Sequence, residues 1–413
     1  MLIRNVHIEN DASATDVRIE NSVFTCIAPF MEPHEHETVI DGAGALLLPP
    51  FVDSHVHLDT TLTAGQPEWN ETGTLFDGIR IWSERKQTLS REDVLTRAEA
   101  AITMMAGNGI QFIRTHVDVT DPGLTALQAL LELKEKVRDV ADIQIVAFPQ
   151  EGILSYPRGQ ALMMEAIRLG ADAVGAIPHF EFNRDYGVES LKFIMDLAEQ
   201  HGLLVDVHCD EIDDPSSRNL EVLATLAYER DMGPRVTASH TTALGSYNDA
   251  YACKLFRLLS MSGMNFVSNP LVNMHLGGRF DTYPKRRGLT RVKELTEAGI
   301  NVSFGEDDIQ DPWSPLGAGN MLDVVHMGVY AAQLMGYTQI KESYRYATHN
   351  GAHTLNLGDD YGIAVGRPAN CILLDAPNFF DALNTHAVVL TNIREGRIIA
   401  QSHSPNTVVS CTF

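Results

Sequence analysis

The stretch FVDSHVHLDTT, residues 51–61, contains two histidines that lie two positions apart behind an apolar run. Residues two apart on an extended strand point to the same face, so His55 and His57 would direct both imidazoles toward one point. Two interpretations are open at this stage. The pair either ends a strand near solvent as ordinary polar residues, or it forms half of a metal site.

Other β-rich runs also end in residues that bind metals or transfer protons. These candidates are His116, Gln150, His179, His208 with Glu211, His240, Asn269, and Asp307 with Asp308. Three imidazoles and one carboxylate suit a divalent transition metal such as Zn²⁺ or Fe²⁺. We therefore predict that His55, His57, His208 and Asp307 hold one metal ion. The alternative is that these four side chains serve only packing.

Eight short β-rich runs position these residues, and amphipathic helical stretches separate them. The runs are ALLLPPFVDSHVH, IQFIRTHVDV, IQIVAFPQEG, AVGAIPHFEF, LLVDVHCDE, RVTASHTTA, MNFVSNPLV and INVSFGEDD. From the second run onward their ends are 29 to 38 residues apart, a spacing that suits one strand, one helix and two loops. Eight such units predict an α/β fold, a (β/α)8 TIM-like barrel with catalytic groups at the C-terminal strand ends.

The first step between runs is longer than the others. It contains TAGQPEWNETGTLFDGIRIW, which we interpret as a long loop leading into a helix over the barrel mouth. The two ends of the chain differ from the middle, because both contain short alternating β-like pieces without a long helical pattern. Residues 1–48 and 361–413 therefore predict a small β-sandwich built from both termini, and residues 49–360 form the predicted metal-dependent catalytic barrel.

Composition limits the classes of partner. The chain has 413 residues, 44% of them apolar, and a formal net charge of −23. Binding to nucleic acid or to an anionic membrane surface needs clustered Lys and Arg, so we expect a small neutral or cationic ligand instead. No apolar run is long enough to span a membrane. Five scattered cysteines without C-x-x-C spacing suit a reducing cytosol, which predicts a cytoplasmic location: Cys26, Cys209, Cys253, Cys371 and Cys411.

Histidines in H-x-H on the first strand, on the fifth and on the sixth, with an Asp on the eighth, resemble the pattern of the amidohydrolase superfamily. Stretches such as HLDTTLTAGQPEWN, VAFPQEGILSYP, DVHCDEIDD and GRFDTYPKRRG are similar to the bacterial cytosine deaminases of that superfamily. The similarity extends from about residue 47 to 357 and is weaker in the terminal β segments. The run GRPANCILL resembles the tail that closes the superfamily's β-sandwich, with Asn370 where Asp is commoner.

The resemblance implies one metal ion, Fe²⁺ or Zn²⁺, on the four predicted ligands. Such an ion lowers the pKa of a water molecule to about 7 and so supplies hydroxide. His240 would orient that hydroxide, and Glu211 would protonate the pyrimidine N3 as C4 is attacked. Asp307 would pass the water proton to the departing ammonia. The alternatives are a fourth imidazole ligand for His240, and a solvated or salt-bridged loop acid for Glu211.

Four further residues would bind the substrate. Gln150 would read the 2-oxo group and the neighbouring ring N–H, because an amide offers a donor and an acceptor together. Phe148 and Trp313 would form apolar walls. Asp308 would accept a hydrogen bond from the 4-amino group and oppose a 5-methyl group, which predicts a preference for cytosine over 5-methylcytosine. The alternatives are a structural amide, core aromatics, and an exposed loop acid or helix N-cap.

Some residues stay without a role at this stage, among them His116 and His179. The fourth run ends in Ile-Pro-His and lacks the Lys that bridges two metals in many relatives, which favours a single metal. Glu306 and Leu62 depart from the residues of the resembled enzymes, and both could shift substrate preference.

We therefore predict that the chain hydrolyses cytosine to uracil and ammonia, as in pyrimidine salvage. One alternative is deamination of a related aminated heterocycle: isoguanine, 5-methylcytosine, creatinine or an aminotriazine. A catalytically silent barrel kept for binding is a third hypothesis, and the intact ligand set with Glu211 and His240 argues against it. The predicted partner is a nucleobase-like small molecule. The resemblance also suggests a homo-oligomer, with a hexamer as the candidate assembly.

Overall fold

The computed structural model describes residues 1–11, 13–404 and 410, so Cys411 and part of the predicted segment 361–413 lie outside the described residues. The strands are β1 Leu2–Ile8, β2 Thr15–Glu20, β3 Val23–Ala28, β4 Val39–Asp41, β5 Leu46–Leu48, β6 Phe51–Val56, β7 Ile110–Asp118, β8 Asp142–Phe148, β9 Ala173–Ala176, β10 Leu204–His208, β11 Val236–Ser239, β12 Asn265–Ser268, β13 Val302–Phe304, β14 Cys371–Leu374, β15 Val389–Arg394 and β16 Arg397–Gln401.

The helices alternate with the middle strands. They are α1 Leu75–Arg85, α2 Arg91–Gly107, α3 Thr125–Lys136, α4 Gly159–Leu169, α5 Arg184–His201, α6 Asn219–Glu229, α7 Thr242–Ser246, α8 Asp249–Ser262, α9 Pro270–Leu276, α10 Val292–Glu297, α11 Met321–Ala331, α12 Tyr337–Glu342, α13 His349–Thr354 and α14 Phe379–Thr385. No helix among the described residues is long and apolar enough to cross a membrane.

Strands β6 to β13 form one parallel sheet in chain order, which confirms all eight predicted runs and the predicted barrel. Six of the eight barrel strands, β6, β7, β9, β11, β12 and β13, are buried along their whole length, because helices cover the outside and side chains fill the inside. Local signals define the helices between them. In α5, for example, the side chain of Asn183 accepts a hydrogen bond from Tyr186 N–H, and Gly202 ends the helix at φ 67°.

The two termini form the second layer. The strand order is β16-β15-β14-β5-β1-β2-β3, with β4 paired to β1, so the first strand pairs with three others. Residues from both termini bury one common apolar cluster, which includes Ile3, Val17, Phe24, Leu373 and Ile393. The predicted sandwich of both chain ends is therefore confirmed. It packs beside the barrel and contributes no residue to the cavity described below.

The first and last barrel strands meet at a seam that closes the sheet. His57 N–H donates to the carbonyl of Asp307 at 2.8 Å, and Asp307 N–H donates to the carbonyl of His55 at 2.8 Å. Behind this seam the carboxylate oxygen Oδ1 of Asp53 accepts the backbone N–H of Glu306 at 3.0 Å. Closure of the barrel therefore fixes the polar ends of β6 and β13 against each other.

Two carboxyl groups, those of Asp53 and Glu306, are buried at this seam, and no Lys or Arg side chain of the described residues forms an ion pair with either. Burial raises the pKa of Asp53 to about 7. Burial, with the nearby Asp53, raises the pKa of Glu306 to about 8. One oxygen of Glu306 accepts hydrogen bonds from Ala318 N–H at 3.3 Å and Gly319 N–H at 3.2 Å. Glu306 thus supports the loop before α11.

These raised pKa values predict a pH-dependent stability. The folded chain holds protons that the unfolded chain releases at a pH of roughly 4, so stability is lost as the pH rises toward 8. Glu306→Gln keeps the hydrogen-bond acceptor and removes one such group. In protein freed of metal by chelation, we expect its thermal midpoint to fall less between pH 5.5 and 8.5 than that of the wild type. Glu135→Gln, at an exposed helical position, is the matched control. Equal falls in wild type and Glu306→Gln would contradict the prediction.

Candidate active site

The four predicted metal ligands lie together at the C-terminal ends of the barrel strands. His55 Nε2 is 3.3 Å and His57 Nε2 is 3.5 Å from Asp307 Oδ1, and His208 Nε2 is 3.3 Å from His57 Nε2. Bonds of 2.0–2.2 Å in tetrahedral geometry place ligand atoms about 3.4 Å apart. The spacing of these atoms therefore matches that of ligands around one ion.

The hydrogen bonding of these groups also fits a metal ion. Among the described residues, the buried atoms His55 Nε2 and Asp307 Oδ2 have no hydrogen-bond partner. Burial, together with the neighbouring imidazoles, lowers the pKa of His55 well below its ordinary value, so the imidazole is neutral and can act as a ligand. The residues present thus fit a divalent ion with nitrogen and oxygen ligands.

His240 lies next to this group and beside Glu211. Its Nδ1 is 3.3 Å from Glu211 Oε1 and 3.7 Å from Asp307 Oδ2. The side-chain amide of Asn273 contacts the same nitrogen at 3.0 Å. Ligand atoms of His240 also lie within 4.8 Å of those of His55 and His208, so both interpretations of His240 stay open.

Glu211 is a buried acid, not the solvated loop acid of the alternative interpretation. Its side chain lines the cavity, and burial, with Asp213 as the second cause, raises its pKa to about 8. A carboxyl group with this pKa carries a proton near neutral pH and can donate it. The chain thus places a candidate acid within hydrogen-bonding distance of His240.

Two residues of the site have a left-handed backbone. His240 has φ 64° and Asp307 has φ 71°, a region that non-glycine residues rarely adopt. His240 directly follows the last residue of β11, and Asp307 lies three residues after the last residue of β13. At that point the turn redirects the side chain, and hydrogen bonds at the barrel seam hold Asp307 on both sides. Such conformations concentrate at functional sites.

A small cavity lies above these residues. It is lined by His57, Leu75, Gln150, His208, Glu211, His240, Leu276, Asp307, Asp308 and Trp313. Two of these, Leu75 at the start of α1 and Leu276 at the end of α9, were not predicted. They stand in ordinary apolar patterns, and only the folding of their loops over the barrel mouth brings them to the site.

A larger chamber of about 220 Å³ lies beside the cavity and shares Leu75, Glu211 and Leu276 with it. The first two residues of α1, Leu75 and Phe76, line this chamber, which confirms that the predicted loop leads into a helix at the barrel mouth. The aromatic rings of Phe76 and Phe280 also contribute to its lining. The inner cavity is therefore reached through a mainly apolar entrance.

Gln150 is held in place through its backbone. Its N–H donates to Asp118 Oδ1 at 3.4 Å, and the other oxygen of Asp118 accepts Trp82 Nε1–H at 2.9 Å and Lys86 Nζ at 3.0 Å. Within the described residues, the Gln150 side-chain amide makes no hydrogen bond to loop backbone, contrary to the structural alternative. The amide is thus available to a ligand in the cavity.

Asp308 is buried and lines the cavity, so it is not an exposed loop acid. Burial, with the neighbouring Asp311 and Asp307, raises its pKa well above the ordinary value. Asp311 in turn accepts hydrogen bonds from Thr60 Oγ1 at 2.6 Å and from Trp313 N–H at 2.9 Å. Asp311 therefore ties the loop of Asp308 and Trp313 to the end of the first barrel strand.

The two predicted aromatic walls have different positions. Trp313 lines the cavity, and its indole N–H donates to the carbonyl of Leu75 at 3.2 Å. The structure contradicts the prediction for Phe148, which does not line the cavity. Its ring stacks on the imidazole of His208 with centroids 4.0 Å apart. As the last residue of β8, Phe148 points into the barrel interior and supports His208 from behind.

His116 and His179 also contact site residues. The ring of His116 stacks on that of His55 with centroids 3.8 Å apart. The Nδ1 atom of His179 accepts the backbone N–H of Glu211 at 3.3 Å. Neither lines the cavity, and neither do the two departures noted in the sequence, Glu306 and Leu62.

Comparisons with known proteins agree with this architecture. The sequence profile described as "Amidohydrolase family" matches residues 38–400. The crystal structure of 5-methylcytosine deaminase from Klebsiella pneumoniae liganded with 5-fluorocytosine is 52% identical, covers 99% of both chains and has a TM-score of 0.97.

Two further relatives are more distant. N-isopropylammelide isopropyl amidohydrolase of Pseudomonas sp. (strain ADP) is 28% identical over 97% of both chains. The structure of N-isopropylammelide isopropylaminohydrolase from Burkholderia multivorans is 27% identical, covers 97% of this chain and 98% of that chain, and has a TM-score of 0.83. The match to the family profile extends over the whole barrel, over β4 and β5, and over the C-terminal strands β14, β15 and most of β16. The chain therefore belongs to the amidohydrolase family and is a hydrolase of the deaminase-like kind, similar to cytosine-type deaminases.

Proposed function

We propose that this enzyme hydrolytically deaminates a free cytosine-type base, with cytosine and 5-methylcytosine as its candidate substrates. The observation that carries the proposal is the composition of the inner cavity. A protonated acid, three imidazoles, an amide and two aspartates line one small space together with three apolar side chains. Similarity at 52% identity to a 5-methylcytosine deaminase liganded with 5-fluorocytosine supports the same assignment.

His55, His57, His208 and Asp307 would hold one divalent ion, Fe²⁺ or Zn²⁺. When bound, such an ion lowers the pKa of water and polarises the reacting group. The chain's own residues then manage the protons. Glu211, protonated near neutral pH, donates to ring N3 and makes C4 more electrophilic.

Water adds to C4, and a new C4–O bond forms. His240 and Asp307 take up the water proton, because Asp307 Oδ2 and His240 Nδ1 lie 3.7 Å apart at the floor of the cavity. The proton returns to the amino nitrogen, the C4–N bond breaks and ammonia leaves. The remaining C4–OH proton passes to Glu211, which forms the C4 carbonyl and restores the acid. The imidazole and carboxylate thus act as a relay for one proton.

Ring recognition falls to the residues around this centre. Gln150 would donate to the 2-oxo group and accept from the ring N–H, and Asp308 would accept from the 4-amino group. The apolar side chains of Leu75, Leu276 and Trp313 would cover the rest of a flat heterocycle and exclude water. Because the inner cavity is small, this arrangement of polar and apolar residues suits a free base without an attached sugar.

Two observations bear on whether the enzyme prefers cytosine or 5-methylcytosine. The polar carboxyl group of Asp308 would gain no hydrogen bond from a 5-methyl group, which supports cytosine, whereas the similarity to 5-methylcytosine deaminase supports the methylated base. The similarity to two N-isopropylammelide hydrolases keeps an aminotriazine as a second candidate. Ammonia or amine release from a panel of cytosine, 5-methylcytosine, isoguanine, creatinine and ammelide tests the proposal. Absence of turnover with both pyrimidines would overturn it.

The first prediction from this proposal concerns the metal. Chelation is expected to abolish turnover and to lower the thermal midpoint, since an ion bound only by the folded state stabilises it. Elemental analysis of the active protein should give close to one ion per chain. Full activity after complete removal of metal, or two tightly held ions per chain, would contradict the single-metal site.

A second prediction concerns Glu211. Glu211→Gln keeps the shape of the side chain and removes the transferable proton. We expect kcat to fall by at least about 10²-fold, the usual scale for a positioned acid, with metal content unchanged. Glu221→Gln, on helix α6 outside the cavity, is the matched control and should keep its activity. Near-normal turnover by Glu211→Gln would remove this residue from the mechanism.

A third prediction concerns Asp308. Asp308→Ala removes the polar carboxyl group that would meet the 5-methyl group, so the ratio of kcat/KM for 5-methylcytosine to that for cytosine should rise. We expect the change to come mainly from a higher kcat/KM for the methylated base. Both constants are measured for both bases in the wild type and the variant. An unchanged ratio would show that Asp308 does not discriminate between them.

A further inference from the structure

A continuous chain of hydrogen bonds lies inside the barrel beneath His55. His55 Nδ1 is 2.9 Å from Ser239 Oγ, Ser239 Oγ is 2.6 Å from Asp206 Oδ1, and Arg114 donates to Asp206 Oδ2 at 2.9 Å. All four side chains are at most 1% exposed to solvent. None of Arg114, Asp206 and Ser239 lines the cavity, so they do not contact a substrate there.

The direction of each hydrogen bond follows from its partners. Arg114 only donates, and an aspartate paired with it only accepts. The single hydrogen of the Ser239 hydroxyl therefore goes to Asp206, whose oxygen is the nearer neighbour. Toward His55 the serine can then only accept, which requires the proton of the imidazole to be on Nδ1. His55 Nε2 consequently carries a lone pair.

That lone pair points into the group of metal ligands. In this tautomer His55 Nε2 faces Asp307 Oδ1 at 3.3 Å as a second acceptor, and a cation between them satisfies both. In the other tautomer, Nε2–H would donate to Asp307 and the two ligands would satisfy each other. The position of one proton on His55 thus decides whether the pair favours a metal ion or an internal hydrogen bond.

The far end of the chain is firmly held. Arg114 also donates to Gln144 Oε1 at 2.9 Å, to Thr237 Oγ1 at 3.1 Å and to the carbonyl of Thr354 at 2.9 Å. These partners belong to β8, β11 and α13, so the guanidinium is fixed by three separate elements. His116 adds a further contact, with Nε2 at 3.4 Å from Asp206 Oδ1.

We propose that Arg114, Asp206 and Ser239 are positioning residues that hold His55 in its Nδ1–H tautomer and so raise the affinity of the site for its metal ion. The inference rests on the metal-binding part of the proposed function. Partners of this kind orient metal-ligating histidines and typically change metal affinity by about 10- to 100-fold when removed. A buried ion pair that only stabilises the barrel would leave metal affinity unchanged.

Ser239→Ala tests the proposal. Apoprotein is prepared by chelation, and the dissociation constant for Zn²⁺ is measured by competition with a chromophoric chelator. We expect the constant to rise by about 10- to 100-fold, while kcat at saturating metal stays within a few-fold of wild type. The thermal midpoint of the apoprotein should also fall, because two buried hydrogen-bond partners of Ser239 lose their partner, so the affinity for Zn²⁺ is the deciding readout.

Two matched variants complete the experiment. Ser239→Thr retains a hydroxyl and should bind Zn²⁺ like the wild type. Ser303→Ala removes a hydroxyl that is equally buried in the barrel, on β13, but contacts Thr354 and not a histidine, so it should also bind normally. If Ser239→Ala does not fold, Ser239→Cys, with a weaker acceptor, takes its place and should show an intermediate loss of affinity.

The outcomes distinguish a failure of the positioning role of Arg114, Asp206 and Ser239 from a failure of the proposed function. Wild-type affinity for Zn²⁺ in Ser239→Ala, or in Ser239→Cys if that variant replaces it, overturns the positioning role and leaves the proposed function intact. An equal loss of Zn²⁺ affinity in Ser303→Ala also overturns the positioning role, since it would show that removal of any buried hydroxyl weakens metal binding. If the wild-type protein binds no divalent ion, both the positioning role and the metal-dependent mechanism are overturned.

Discussion

Two backbone hydrogen bonds between the first and the last barrel strand are the constraint on which the site depends. They join His57 to Asp307 and Asp307 to His55, so the two histidines and the aspartate have no freedom to move apart. The left-handed backbone of Asp307 lets its N–H and C=O make both bonds while its carboxylate turns toward the imidazoles. Barrel closure and assembly of the ligands are therefore the same structural event.

The seam also concentrates groups that resist charging. Burial raises the pKa of Asp53, Glu306 and Asp308, and it lowers the pKa of His55 and His208. Acids and imidazoles thus both shift toward their neutral forms, because no water is available to solvate their charges. A dication bound among them would offset the desolvation of the nearest carboxylate and accept the lone pairs of neutral imidazoles. The electrostatics of the site thus favour a cation at this position.

The sequence predicted the strands and the candidate metal ligands more completely than the lining of the cavity. Period-two spacing and polar strand ends located His55, His57, His208 and Asp307, because the ends of parallel strands must meet at one rim. Phe148 was misplaced, since its position beside the same rim does not tell which way its ring points. Neither the cavity residues Leu75 and Leu276 nor the hydrogen-bonded chain from Arg114 to His55 could be predicted. Loop closure and pairings across the barrel interior leave no periodic signal in one chain.

The mouth and the floor of the site are coupled through single carboxylates. Asp118 joins Trp82 and Lys86, which belong to the covering segment, to the backbone of Gln150. Asp311 joins Trp313 to Thr60 in the same way. Each uses both of its oxygens, so neither end can shift without breaking a charge-assisted hydrogen bond at the other. The residues that would read the substrate are thus positioned by the elements that enclose it, and enclosure and recognition depend on the same contacts.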